Sequence, residues 1–185
     1  MPSSGVAATS PNVKCFPCAG RSTDSYSGSY SALIFVVNVG TWNTDNTAVE
    51  KSYVGRLFIG TADDSGNPTY GTVDCQSRPT ALKFHYKYAS KDGSNFSAEL
   101  TLNSSEGVLA SGSVTGGDAS SWTEMTIPLT YTTEKTKAVN IALEFVSTTT
   151  DVGVKVKNKI EYNGGSYTAH VGPQLRIDNL RLIYE

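Results

Sequence analysis

The chain has 185 residues, is 38% hydrophobic and 17% charged, and carries a formal net charge of -2. That length is enough for one domain with a proper core, and a near-neutral chain without a basic run argues against nucleic acid as a partner. No apolar run approaches the about 18 residues of a membrane-spanning helix, so no transmembrane segment is expected.

Residues 1–28 are rich in Ser, Gly and Pro and show no period, which predicts an irregular N-terminal arm lying across a β-sandwich over 29–185. The first 12 residues carry neither a basic nor an apolar leader region. A Ser/Pro/Ala-rich start of this kind is expected to continue a longer chain or a surface assembly. Cys15 and Cys18 make a C-x-x-C; a zinc site usually wants four Cys or His ligands, and the only histidines are His85 and His170, so a metal is the less favoured reading. No βαβ pattern surrounds the motif to support thioredoxin-like chemistry. The expectation is a structural disulfide from Cys75 to Cys15 or Cys18, worth roughly 4 kcal/mol in a chain-entropy account.

Tyr30 to Val39 reads as a strand whose continuous apolar centre, ALIFVV, implies burial on both faces. A polar loop over 40–52 carries Trp42, Tyr53 to Ile59 resumes as a strand, and 60–71 is turn-rich. In RPTALKFHYKY, Leu82, Phe84, Tyr86 and Tyr88 share one parity, while Lys83, His85 and Lys87 share the other. A strand sends successive side chains to opposite faces, so this predicts an aromatic inner face and a basic outer one. Asp92-Gly93 then predicts a hairpin turn into a return strand with Phe96, Ala98, Leu100 and Leu102 inside and Glu99 outside, within reach of Lys83, His85 or Lys87.

Gly107 to Gly112 is a short strand. Trp122 to Tyr131 is another, with Pro128 marking an edge or a bulge. Val139, Ile141, Leu143 and Phe145 alternate cleanly, Val152, Val154 and Val156 more weakly, and 161–172 reads as a Gly/Tyr-rich loop before the closing PQLRIDNLRLIYE. Short strands separated by turn signals, with no helical period, predict an all-β, two-sheet antiparallel sandwich of jelly-roll type.

Sugars offer C–H faces and hydroxyl rims, so their sites combine exposed rings with carboxylates, amides and cations. The candidate carbohydrate-binding residues are Trp42, Lys83, His85, Lys87, Glu99, Glu144 and Trp122, with Tyr70 and Tyr167 as further loop aromatics. Glu99 and Glu144 are also the one carboxylate pair a glycoside hydrolase could use, provided their strands lie in one sheet. There is no G-x-S-x-G, phosphate loop or G-x-G-x-x-G. Asp178, set between Ile177 and Leu180, needs a partner: a structural calcium ion helped by Asp24, Asp63, Asp64 or Asp151, or else backbone amides, Arg176 or Arg56.

GRLFIG at Gly55 to Gly60, RPTALKFHYKY, IPLTY at Ile127 to Tyr131 and the closing VGPQLRIDNLRLIYE, with TSPNVKCFPCAG near the start, resemble the family named the putative carbohydrate metabolism domain. Its members occur in secreted lipoproteins of gut-dwelling Gram-negative anaerobes. The resemblance runs from about residue 10 to the end and implies a jelly roll akin to carbohydrate-binding modules; it carries over no catalytic residue. The closing L-R-I-D-N-L-R-L also looks like the last strand of calcium-containing binding modules, which implies Asp178 as the ligand. The expected function is therefore a non-catalytic, carbohydrate-binding-like module of a secreted, periplasmic or outer-membrane-anchored protein. A structural or adhesive surface domain without a small-molecule site ranks second, and a glycoside hydrolase third.

Overall fold

The computed structural model describes residues 18–39, 51–62, 68–70, 73–90, 93–133, 137–150 and 158–184. Trp42, Cys15, Asp63, Asp64, Asp92, Asp151 and the 152–156 alternation lie outside the described residues. The strands are β1 (Ala19–Ser22), β2 (Ser31–Val39), β3 (Lys51–Tyr53), β4 (Arg56–Phe58), β5 (Thr61–Ala62), β6 (Pro68–Thr69), β7 (Val73–Asp74) and β8 (Ala81–Ala89). They continue as β9 (Phe96–Ser104), β10 (Gly107–Gly116), β11 (Ala119–Pro128), β12 (Thr130–Tyr131), β13 (Asn140–Val146), β14 (Asn158–Tyr162), β15 (Gly165–Ala169) and β16 (Val171–Ile183). No helix forms among the described residues, so none is long and apolar enough to cross a membrane.

The first sheet runs β1-β2-β16-β8-β11, with β3 on β2; the second runs β12-β10-β9-β13-β4, with β7 on β13. Together they form the all-β antiparallel sandwich of jelly-roll type that the alternation predicts. Leu82, Phe84, Tyr86 and Tyr88 of β8 are buried against Phe96, Ala98, Leu100 and Leu102 of β9 and Leu143 and Phe145 of β13. The rings lock edge to face: Phe84 and Phe145 have centroids 5.0 Å apart at 83°. The central run of β2 is buried on both faces. Ile34 joins this interior, while Leu33, Phe35 and Val37 join Cys18, Ile160, Ala169 and Val171 in a second cluster with the β14–β15 hairpin.

Several expectations need correction. β8 and β9 do not form a hairpin; they belong to opposite sheets and meet face to face, with Tyr86 and Phe96 centroids 4.8 Å apart. β8 ends at Ala89 and β9 begins at Phe96, a separation in sequence long enough to step across the roughly 10 Å between packed sheets. Glu99 therefore lies on the far side of the molecule from Lys83, His85 and Lys87. Tyr53 to Ile59 is two strands in different sheets. The switch comes at Gly55, where a Cβ would lie 2.5 Å from the Cys18 carbonyl oxygen and 2.6 Å from the Phe35 nitrogen, so only glycine lets the chain pass.

The strand expected over 122–131 also divides, into β11 and β12, and β11 is indeed an edge strand with a bulge. Part of the expected irregular arm is the strand β1, paired with β2. The loop expected over 161–172 holds the β14–β15 hairpin, turned by Asn163 and Gly164 at φ 51° and 80°.

The expected bridge does not form between Cys18 and Cys75, and its alternative through Cys15 lies outside the described residues. Cys18 lies in the cluster on the outer side of β2, its thiol 3.6 Å from the Tyr53 carbonyl oxygen it donates to. Cys75 packs at the rim of the interior between the sheets, its sulfur 3.3 Å from Ser77 Oγ. The first sheet separates the two positions.

Candidate functional site

The two sheets present two outer faces, and the candidate residues divide between them. On the first sheet, Lys83, His85, Lys87 and Trp122 do come together, but residues 23–30 lie over His85, Lys87 and Trp122 as a strap. The Asp24 carboxylate accepts from Lys87 Nζ at 2.9 and 3.1 Å and from Trp122 Nε1 at 3.2 Å, with Arg176 at 3.7 Å. Burial alone would raise the Asp24 pKa, but the hydrogen bond and charge of Lys87, the charge of Arg176 and the indole N–H together hold it below the usual carboxylate range. Tyr26 stacks on His85, centroids 3.6 Å apart at 15°, and leaves the imidazole 8% exposed. Lys83 and Arg181 share Glu124, at 3.0 and 2.6 Å. The basic face is thus covered by the N-terminal arm, and its charges are matched within the chain.

Asp178 anchors this strap. Its Oδ2 accepts from the Tyr26 and Ser27 amides at 2.7 and 3.0 Å, and its Oδ1 from the Asn179 amide at 2.7 Å. A bulge in β16 makes this possible: pairing to β8 shifts between Asp178 and Arg181, and Asn179 takes φ 51°. Three N–H donors aimed at one carboxylate do not fit a hard cation, which needs a shell of oxygens. No group of three or more Asp, Glu, His or Cys suited to a metal occurs among the described residues.

Among the described residues nothing is laid over the second sheet's outer face, where Glu99 and Ser113 are exposed. Phe58, Glu144, Glu99 and Ser113 stand in one transverse row across β4, β13, β9 and β10. Glu99 and Glu144 are therefore direct cross-strand neighbours, as the shared-sheet condition required. From the Glu99–Glu144 pair a groove of about 320 Å³ runs along β9 and β13, lined by Tyr70, Glu99, Thr101, Asn103, Ala142 and Glu144. Glu144 accepts from Arg56 Nη1 at 2.9 Å. Tyr70, 40% exposed, packs edge-on against Phe58 with centroids 6.3 Å apart. Burial, then the hydrogen bond to the Glu144 carboxylate and its charge, push the Tyr70 phenol well above its ordinary pKa. Asn103 Nδ2 donates to Asn140 Oδ1 at 2.8 Å.

Parity along β9 carries the signal for two residues not singled out from sequence: Thr101 and Asn103 share the outward phase of Glu99. Arg56 and Phe58 sit on a three-residue strand, too short to show a period. Tyr167 lies on β15, off this groove.

No protein-family model matches the chain, and no characterised protein matches it in sequence. Solved structures do match in fold. A structure from Bacteroides thetaiotaomicron described as a putative glycoside hydrolase superposes over 98% of this chain with TM-score 0.62 and 16% identity; the chain spans 60% of that structure's length. One from Bacteroides vulgatus, also described as a putative glycoside hydrolase, superposes over 91% of this chain and 78% of its own, with TM-score 0.62 and 17% identity. A putative sugar binding protein of Bacteroides thetaiotaomicron aligns at TM-score 0.42 and 8% identity, too loosely to carry an argument. Identities this low establish a shared fold.

Proposed function

We propose that the chain is a non-catalytic, carbohydrate-binding-like module of a secreted or cell-surface bacterial protein, and that it holds a glycan in the groove over β9 and β13. One observation carries this reading: the open groove joins the half-exposed Tyr70 ring to two carboxylates, an amide and a hydroxyl. An aromatic ring beside hydrogen-bonding groups is the combination a sugar's C–H face and hydroxyl rim require. The two fold relatives described as putative glycoside hydrolases agree with a carbohydrate setting. Screening on a glycan array followed by titration calorimetry tests the proposal. A ligand should be found, and Tyr70→Ala should weaken it by about 1–3 kcal/mol, the range of a single well-packed aromatic contact. Absence of any ligand, or affinity indifferent to Tyr70→Ala, overturns the proposal.

The direct opposition of Glu99 and Glu144 favours glycoside hydrolysis as a second reading. Cross-strand neighbours hold their Cβ atoms roughly 4.5–5.5 Å apart, which leaves their carboxyls able to approach the about 5–5.5 Å spacing of a retaining pair. It ranks below binding because Glu144 is already engaged by Arg56 and Tyr70. Release of reducing ends that is lost in both Glu99→Gln and Glu144→Gln would reverse the ranking.

A further inference from the structure

We propose that this groove selects sugars that present hydrogen-bond donors, hydroxyl or ammonium, and turns away those bearing carboxylate or sulfate, with Glu99 as the accepting group. The proposal rests on the glycan-binding reading above and adds the class of ligand.

The argument starts from what the groove has left to offer. Glu144 is matched by the Arg56 guanidinium and by the Tyr70 hydroxyl. Glu99, its direct neighbour across the strands, is exposed and makes no hydrogen bond or ion pair among the described residues. Like charges placed opposite one another on adjacent strands oppose folding, so the second carboxylate adds nothing to the sheet that carries it. Asn103 spends one amide N–H on Asn140, and its carbonyl oxygen remains an acceptor.

The inventory is therefore lopsided. Glu99 supplies two carboxylate oxygens and Asn103 an amide oxygen, while the donors left facing the groove are the Thr101 hydroxyl and the second N–H of Asn103. The one cation at its rim, among the described residues, is Arg56, already bound to Glu144. A neutral sugar ring brings several O–H donors and meets this surplus of acceptors. An amino sugar brings N–H donors and a charge of the right sign. A carboxylate or sulfate substituent brings acceptors in place of a donor and sets a like charge beside Glu99. Cations are abundant on the opposite face, at Lys83, Lys87, Arg176 and Arg181, but each is paired with Asp24 or Glu124.

Calorimetric titration at low salt tests this, with cello-, xylo- and mannohexaose, a chitosan hexamer, hexagalacturonate and a heparin-derived hexasaccharide as probes. One of the neutral or amino-bearing probes should bind about tenfold or more tighter than either anionic one, and Glu99→Gln should cost it about tenfold. Preference for the chitosan hexamer, weakening as salt rises, identifies ammonium as the donor; a salt-indifferent neutral preference identifies hydroxyls. An unchanged urea midpoint for Glu99→Gln shows that a loss of affinity is local. Tighter binding of an anionic probe, or an affinity that Glu99→Gln leaves untouched, overturns the inference. If that anionic probe is weakened by Tyr70→Ala, glycan binding in the groove survives while the selectivity fails. No binding by any probe removes both.

Discussion

The two outer faces of this sandwich carry similar residue types and have opposite fates. On the first sheet, Lys83, Lys87, Arg176 and Arg181 face Asp24 and Glu124, Tyr26 covers His85, and the chain has settled its own polar groups. On the second, Glu99 stands in an open groove beside Glu144 with no counter-ion among the described residues. Charge and aromatic content alone therefore do not distinguish a ligand surface from an internal seam. What distinguishes them is which groups remain unmatched after the protein has folded.

Both faces depend on one interior, and the largest effect should come from damaging it. Phe145→Ala removes the ring that meets Phe84 edge-on and should cost about 3–5 kcal/mol in urea unfolding. A loss below about 1 kcal/mol would mean that the layers do not share a packed core. The next effect separates the faces. Asp178→Ala strips the Tyr26, Ser27 and Asn179 amides of their acceptor and should cost about 1–2 kcal/mol, with faster hydrogen exchange at residues 26 and 27. The matching Glu99→Gln on the open face should leave stability within about 0.5 kcal/mol. Equal losses from the two would erase the contrast.

The smallest effect is in pH. The Asp24 pKa is lowered in the folded state, so its contribution is complete above the unfolded value of about 3.9 and is lost as pH falls through the lower folded value. Because the Asp24 side chain is 42% exposed, solvent screening keeps this contribution modest. Thermal unfolding of Asp24→Asn against the parent should show a flatter acid limb, and high salt should narrow the difference. Parallel acid limbs would mean that the strap is not held by that carboxylate.

Much of the sandwich was legible because burial imposes a period of two: Leu82 to Tyr88, Phe96 to Leu102 and Ile141 to Phe145 each take the predicted face. Which strands pair and which stack was not legible. Both β8 and β9 offer an apolar face, and facing across a core or lying side by side within a sheet satisfies the same pattern. That ambiguity placed Glu99 beside the wrong cations. The hairpin at Asn163-Gly164 was readable from its turn chemistry, yet the tyrosines and glycines around it suggested a loop. That the aperiodic N-terminal arm lies across the sandwich was legible; which face it covers was not, because the places of Tyr26 and Asp24 are set by long-range contacts to Asp178, His85 and Lys87.

The central position of β16 has a consequence for how the molecule assembles. That strand, Val171–Ile183, lies between β2 and β8 and joins what would otherwise be two separate ribbons. During synthesis the earlier strands emerge with a vacant slot between them, and the apolar flanks of that slot stay wet until the late segment arrives to zip both sides. Maturation should therefore be abrupt and late, and a nascent chain stalled before this segment should present chaperones with two sticky strand edges.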